Sequence, residues 1–140
     1  MKTKFLFLIG MALGGGFGAL RADAQVVVVN PASAITGMTK QAVGDLLLGR
    51  SQALPDGSHV TIVIARASTA TDKMLPDLAE GQTIDQFESS WKRLVYVGKG
   101  RMPIFVADNA ELLQKVAATP GSIGLAEGTG GAGVKVVAIK

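Results

Sequence analysis

The feature that most limits the folds open to this chain is an alternation. Short runs of β-branched and apolar residues, Gln25 to Val29, Val60 to Ile64, Ile104 to Val106, Ile123 to Leu125 and Val134 to Ile139, are separated by segments whose apolar residues recur at helical spacing. The first two runs are too continuous for strands wetted on one face, and they read as buried on both. Strands interleaved with helices imply an α/β sandwich, a mixed sheet flanked by helices. No repeat of 20 to 50 residues and no long linker divides the chain.

The helices announce their own ends. Thr39 can cap a helix carrying Ala42, Val43, Leu46 and Leu47 on one face, and Gly49 is placed to stop it before the basic Arg50. Thr83 and Gln86 have capping-box spacing ahead of Ile84, Phe87, Trp91 and Leu94, and Asp108 and Glu111 repeat it ahead of Leu112, Leu113, Val116 and Ala117. Between them, Val95 to Val97 reads as extended, Gly98 to Arg101 as a loop, and Pro76 should limit or kink any helix that follows Arg66 to Asp72. The Gly128 to Gly133 segment joins the last two strands.

Composition matters once the first residues are set aside. Lys2 and Lys4 precede an apolar, glycine-containing run from Phe5 to Leu20, and Ala22-Asp23-Ala24 offers small residues where a signal peptidase inspects. This pattern predicts a secretory signal peptide over 1-24, cleaved after Ala24, a domain over 25-140, and a periplasmic or secreted destination. The net charge of +3 then falls to +1, because Lys2, Lys4, Arg21 and Asp23 leave with the signal. A nearly neutral chain lacks the clustered basic face that nucleic acid requires, and no membrane span is expected after cleavage. With no cysteine, disulfide staples, thiolate metal sites and a cysteine nucleophile are excluded.

Few residues support catalysis. His59 is the only histidine and follows the Pro55-Asp56-Gly57 turn, so a triad or two-histidine metal site has nothing to build on. The glycine-rich segment from Gly128 is followed by a strand, where a dinucleotide fingerprint needs a helix. Neither an enzyme, a metal nor a cofactor is expected. Arg66 to Asp72, read Arg-Ala-Ser-Thr-Ala-Thr-Asp, is different. It lies where a strand's carboxyl end enters a helix, the place where open α/β sheets bind ligands. Helix-start amides and the helix dipole attract an anion, Ser68, Thr69 and Thr71 can donate hydrogen bonds, and Arg66 can grip two oxygens. Ordinary capping by Thr71, with Arg66 in solvent, accounts for the same residues. Lys99 and Arg101 in the Gly98 to Arg101 loop are the secondary candidates for an anion contact.

Asn30-Pro31, Gly37-Met38-Thr39, the helix end Asp45-Leu46-Leu47-Leu48-Gly49-Arg50, Pro55-Asp56-Gly57, the strand to Arg66, Trp91 and Thr119-Pro120-Gly121-Ser122-Ile123-Gly124 together resemble the phosphate-binding proteins of ABC transporters. The resemblance spans nearly all of 25-140 and implies a single lobe of the periplasmic-binding-protein type, where full-length members close two lobes over one oxyanion. It implies phosphate or a similar oxyanion as ligand, with a transporter permease or another periplasmic protein as partner. In the family the arginine is followed by an aspartate and then Ser-Gly-Thr around the phosphate. Arg66 matches the arginine; without a gap Ser68 stands at the aspartate and Asp72 at the threonine, whereas one deletion lets Thr69-Ala70-Thr71 stand for Ser-Gly-Thr.

One arginine contact and two or three charge-assisted hydrogen bonds contribute roughly 4 to 7 kcal/mol gross. Micromolar binding needs about 8 net, so an open lobe of this kind should bind its oxyanion weakly, on the order of millimolar. The alternative expectation is an accessory or interaction module that kept the lobe and lost the ligand.

Overall fold

A computed structural model describes residues 25–128, 131 and 133–140; the expected signal over 1–24 and positions 129, 130 and 132 of the glycine-rich segment lie outside the described residues. The element order is β1 (Gln25–Val29), β2 (Gly37–Met38), α1 (Lys40–Leu47), β3 (Thr61–Ala67), α2 (Thr69–Leu78), α3 (Ile84–Tyr96), β4 (Ile104–Asp108), α4 (Asn109–Ala118), β5 (Ser122–Glu127) and β6 (Lys135–Ile139). The strands form one six-stranded mixed sheet, ordered β2-β6-β1-β5-β3-β4.

β1 runs antiparallel to both neighbours, with Val27 opposite Leu125 on one side and Val137 on the other. β3 is parallel to both β5 and β4, which puts the carboxyl ends of these three strands at one end of the sheet. Burial on both faces explains the unbroken apolar runs. Val27, Val29, Ile62 and Ile64 face the larger core, formed with α1, α2 and α3. Val28, Val63 and Ala65 face Leu112 and Val116 of α4 in a smaller one. Phe87 is wholly buried, and burial of such a ring contributes about 1.5 to 3 kcal/mol.

The caps form as their spacing predicts. Thr39 Oγ1 accepts from Ala42 N, Thr83 and Gln86 complete a reciprocal capping box, and Asp108 accepts from Glu111 N. At the end of α1, Gly49 takes φ +77° while its amide donates to Leu46 O and that of Arg50 to Asp45 O, a Schellman closure.

One expectation needs correction. Val95 to Val97 is not extended: Val95 and Tyr96 finish α3, and Val97 is its C-cap. A three-residue apolar run forms a strand only beside a partner strand, and here the helical ladder continues instead. Val97 N donates to Arg93 O, and Gly98 at φ +77° closes the helix as Gly49 closes α1, with Lys99 N on Leu94 O. Pro76 limits α2 as expected: it lies inside the helix, which runs only two residues further to Leu78. The helix loses one backbone donor and terminates within the turn that follows.

Candidate functional site

The site expected from the sequence sits at the carboxyl end of β3. Ser68 is the N-cap of α2, extended at φ −152° and ψ 135°, and its hydroxyl accepts from Ala70 N at 3.2 Å. The next amide, Thr69 N, belongs to the first turn of the helix and has no partner within it. It donates to a side chain far along the sequence, Glu127 Oε2, at 2.9 Å.

Glu127 is the last residue of β5, so the parallel pairing of β3 with β5 brings its carboxylate beside the start of α2. Its own amide is fixed by Asn109 Oδ1 at 2.9 Å, at the start of α4. The Thr69 amide holds the Glu127 carboxyl below its ordinary range, with the Ser68 hydroxyl adding to this and both burial and the Asp108 charge opposing it. The N-terminus of α2 therefore carries an anion contributed by the chain itself.

Arg66 and Thr71 are placed differently. Arg66 makes a two-pronged ion pair with Glu88 of α3, Nη1 to Oε1 and Nη2 to Oε2 both at 3.1 Å, and its guanidinium lies 4.4 Å from the centre of the Phe105 ring. The Arg66 hydrogen bond holds Glu88 below the usual carboxylate range, against burial, with smaller help from the charges of Arg66 and Lys92. Thr71 is buried, and its hydroxyl donates to Ala65 O at 2.6 Å. Of the four expected residues, Ser68 and Thr69 share one anion seat, Arg66 is paired across to α3, and Thr71 locks α2 to the strand before it.

The secondary candidates are at the opposite end of the sheet: Lys99 and Arg101 precede β4, as His59 precedes β3. Glu127, Glu88 and Asn109 are the residues that sequence reasoning passed over. The one available signal was a glutamate just beyond the apolar run Ile123 to Leu125; in the structure it is the last residue of β5, half-exposed where the other five are buried.

The fold has solved counterparts. A PstS protein from Borrelia burgdorferi superposes with a TM-score of 0.58 at 20% identity, over 84% of this chain and 47% of its own. A putative phosphate ABC transporter substrate-binding protein with bound phosphate, from Clostridium perfringens, gives a TM-score of 0.65 at 10% identity, over 84% and 45%. The chain has the fold of half such a protein. An ABC-type phosphate transport receptor from Vibrio cholerae agrees, with a TM-score of 0.56, 14% identity and coverage of 84% and 46%. No family model matches the chain, and no curated protein is detectably similar in sequence. The likeness is one of fold, a mixed sheet flanked by helices, and the chain spans under half the length of these neighbours. No helix among the described residues is long and apolar enough to cross a membrane.

Proposed function

We propose that this chain is an exported, noncatalytic solute-binding lobe, residues 25-140 after cleavage at Ala24, that takes phosphate or a similar oxyanion weakly in the periplasm. The observation that carries this reading is the Glu127 carboxylate on the Thr69 amide. The start of α2 already prefers an oxygen anion, and a phosphate offers the same chemistry to the Thr69 amide and the Ser68 hydroxyl. Arg66 reaches such a ligand only by leaving Glu88, so both halves of the site must open before an anion from solution is held. An occupied seat lowers apparent affinity by the fraction of time it stands empty. Weak binding follows. A transporter permease or another periplasmic protein is the partner this role implies.

The same two contacts favour a second reading. With Glu127 and Glu88 as permanent internal partners, the lobe serves as an accessory or interaction module without a ligand.

Titration of the backbone amides of Ser68 and Thr69 with phosphate, followed by NMR, separates the two. The wild type should shift saturably with a Kd on the order of millimolar. Glu127→Gln, which keeps shape and removes the competing charge, should tighten this about tenfold if the seat is open one time in ten. Arg66→Ala should weaken it. A Glu127→Gln protein that is folded and still shows no saturable shift leaves the accessory module as the surviving reading.

A further inference from the structure

Two cations without an acidic partner and an apolar hollow meet at the other end of the sheet. Between the first residues of β3 and β4, the segment 98–103 and α3 lies a cleft of about 300 Å³, at the small end of the range for ligand sites. Its apolar lining comes from Val60, Ile62, Trp91, Met102 and Ile104. The Trp91 indole is 3% exposed, and its Nε1 donates to Leu47 O at 2.9 Å, so what it offers the cleft is ring carbon.

Segment 98–103 is laid directly on that ring. A Cβ at Gly100 would stand 3.0 Å from Trp91 Cζ3, and the Gln52 side-chain amide donates to the Lys99 carbonyl. Arg101 and His59 stand at the edge of the cleft and also line a shallower hollow that continues to Lys99. None of the lining residues of either hollow is Asp or Glu. Among the described residues, Lys40, Arg50, Arg66 and Lys92 have acidic partners within 4.0 Å; Lys99 and Arg101 have none, like Lys73, Arg93, Lys115, Lys135 and Lys140, but of these seven only Lys99 and Arg101 line either hollow.

A neutral apolar ligand would leave these cations unused, and an inorganic oxyanion would leave the apolar lining wet. Only a ligand with both characters satisfies both. We propose that this cleft binds a small organic carboxylate with a hydrocarbon body, the body packed on Val60, Met102 and Ile104 beside the edge of Trp91 and the carboxylate held by Arg101 with Lys99. The proposal stands apart from the oxyanion seat, because it shares no residue with it.

Trp91 is the sole tryptophan and reports directly. Octanoate should change its fluorescence saturably, octanamide should need at least about tenfold higher concentration, a loss equivalent to one charge-assisted contact of about 1.4 kcal/mol, and inorganic phosphate should give no comparable change. Arg101→Glu alters an exposed residue and should weaken octanoate about tenfold or more while leaving octanamide unchanged. Lys99→Ala should weaken octanoate by a smaller factor. No saturable octanoate response, equal binding of octanamide, or an octanoate response undiminished in folded Arg101→Glu would each overturn the proposal.

Discussion

Gly57 and Gly121 hold similar backbone angles, φ +88° and +78°, yet their surroundings differ. A Cβ at Gly57 meets nothing within 4 Å, whereas one at Gly121 would stand 2.7 Å from His59 O. Gly57→Ala should therefore cost only the left-handed backbone strain, about 1 kcal/mol, and Gly121→Ala should cost about 2 to 4 because the strand entry must also move. Urea unfolding of the two variants checks the ranking. The Thr119 to Gly124 motif thus owes its glycine to the approach of two chain segments and needs no ligand to explain it. Asn30 is similar: its amide group donates to Val116 O and Ala117 O and accepts from Ala32 N, which closes the carboxyl end of α4. Glu127 carries a pH dependence of known sign. Its folded pKa is lowered, so its contribution is complete above the ordinary glutamate value of about 4.3 and is lost as pH falls through the folded value. Stability should decline on that acid side, and Glu127→Gln should flatten the decline when unfolding free energy is measured from pH 6 down to pH 3.

At the scale of elements, α1 and α2 touch at Gly44. A Cβ there would lie 2.5 Å from Leu78 O, so the two helices pack with backbone against backbone. Gly44→Ala should push them apart and cost about 1 to 3 kcal/mol, despite the better intrinsic helix propensity of alanine. Thermal unfolding would register the loss; an unchanged or raised midpoint would contradict this packing account. Most of the sheet and its helices were legible in the sequence because each signal was local: β-branched runs for β1, β3 and β6, and Thr39, Thr83 and Asp108 as caps; the two-residue β2, defined only by its pairing with β6, was not. Val95 to Val97 was misread because an apolar run says nothing about whether a partner strand exists beside it. Here Tyr96 and Val97 are 90% and 61% exposed, so no sheet receives them. The candidate site was legible only in half. Ser68 and Thr69 lie where a strand feeds a helix, which sequence shows, but Glu127 is 58 residues from Thr69 and Glu88 is 22 from Arg66. Such pairings depend on strand order, and no local pattern encodes the placement of β5 beside β3.

Across the whole molecule, charge is sorted between the two ends of the sheet. Asp72, Asp108, Glu111 and Glu127 lie at or just after the carboxyl ends of β3, β4 and β5, and Arg66 there is neutralised by Glu88. At the other end are Lys99 and Arg101, Lys115 in the last turn of α4 and Lys135 at the start of β6, so each end has an excess of one sign even though Lys73 and Lys140 lie at the first end and Asp56 at the second. Net charge near zero hides this polarity, since fields act through distribution rather than sum. The end that holds Ser68 and Thr69 is therefore the end with the acidic excess, and the end with the basic excess holds the apolar cleft. An anionic paramagnetic chelate at low salt should broaden the amides of residues 59 and 98–101 more than those of residues 68 and 69. A cationic chelate should reverse the order, and both contrasts should fade at 1 M salt, where the screening length is about 3 Å. Broadening that is uniform, or strongest at Thr69 with the anionic probe, would show that Glu127 and its acidic neighbours do not set the local potential. In that outcome the weakness expected of phosphate binding would have to come from displacement of Glu127 and release of Arg66 from Glu88, and Glu127→Gln would recover only the first part.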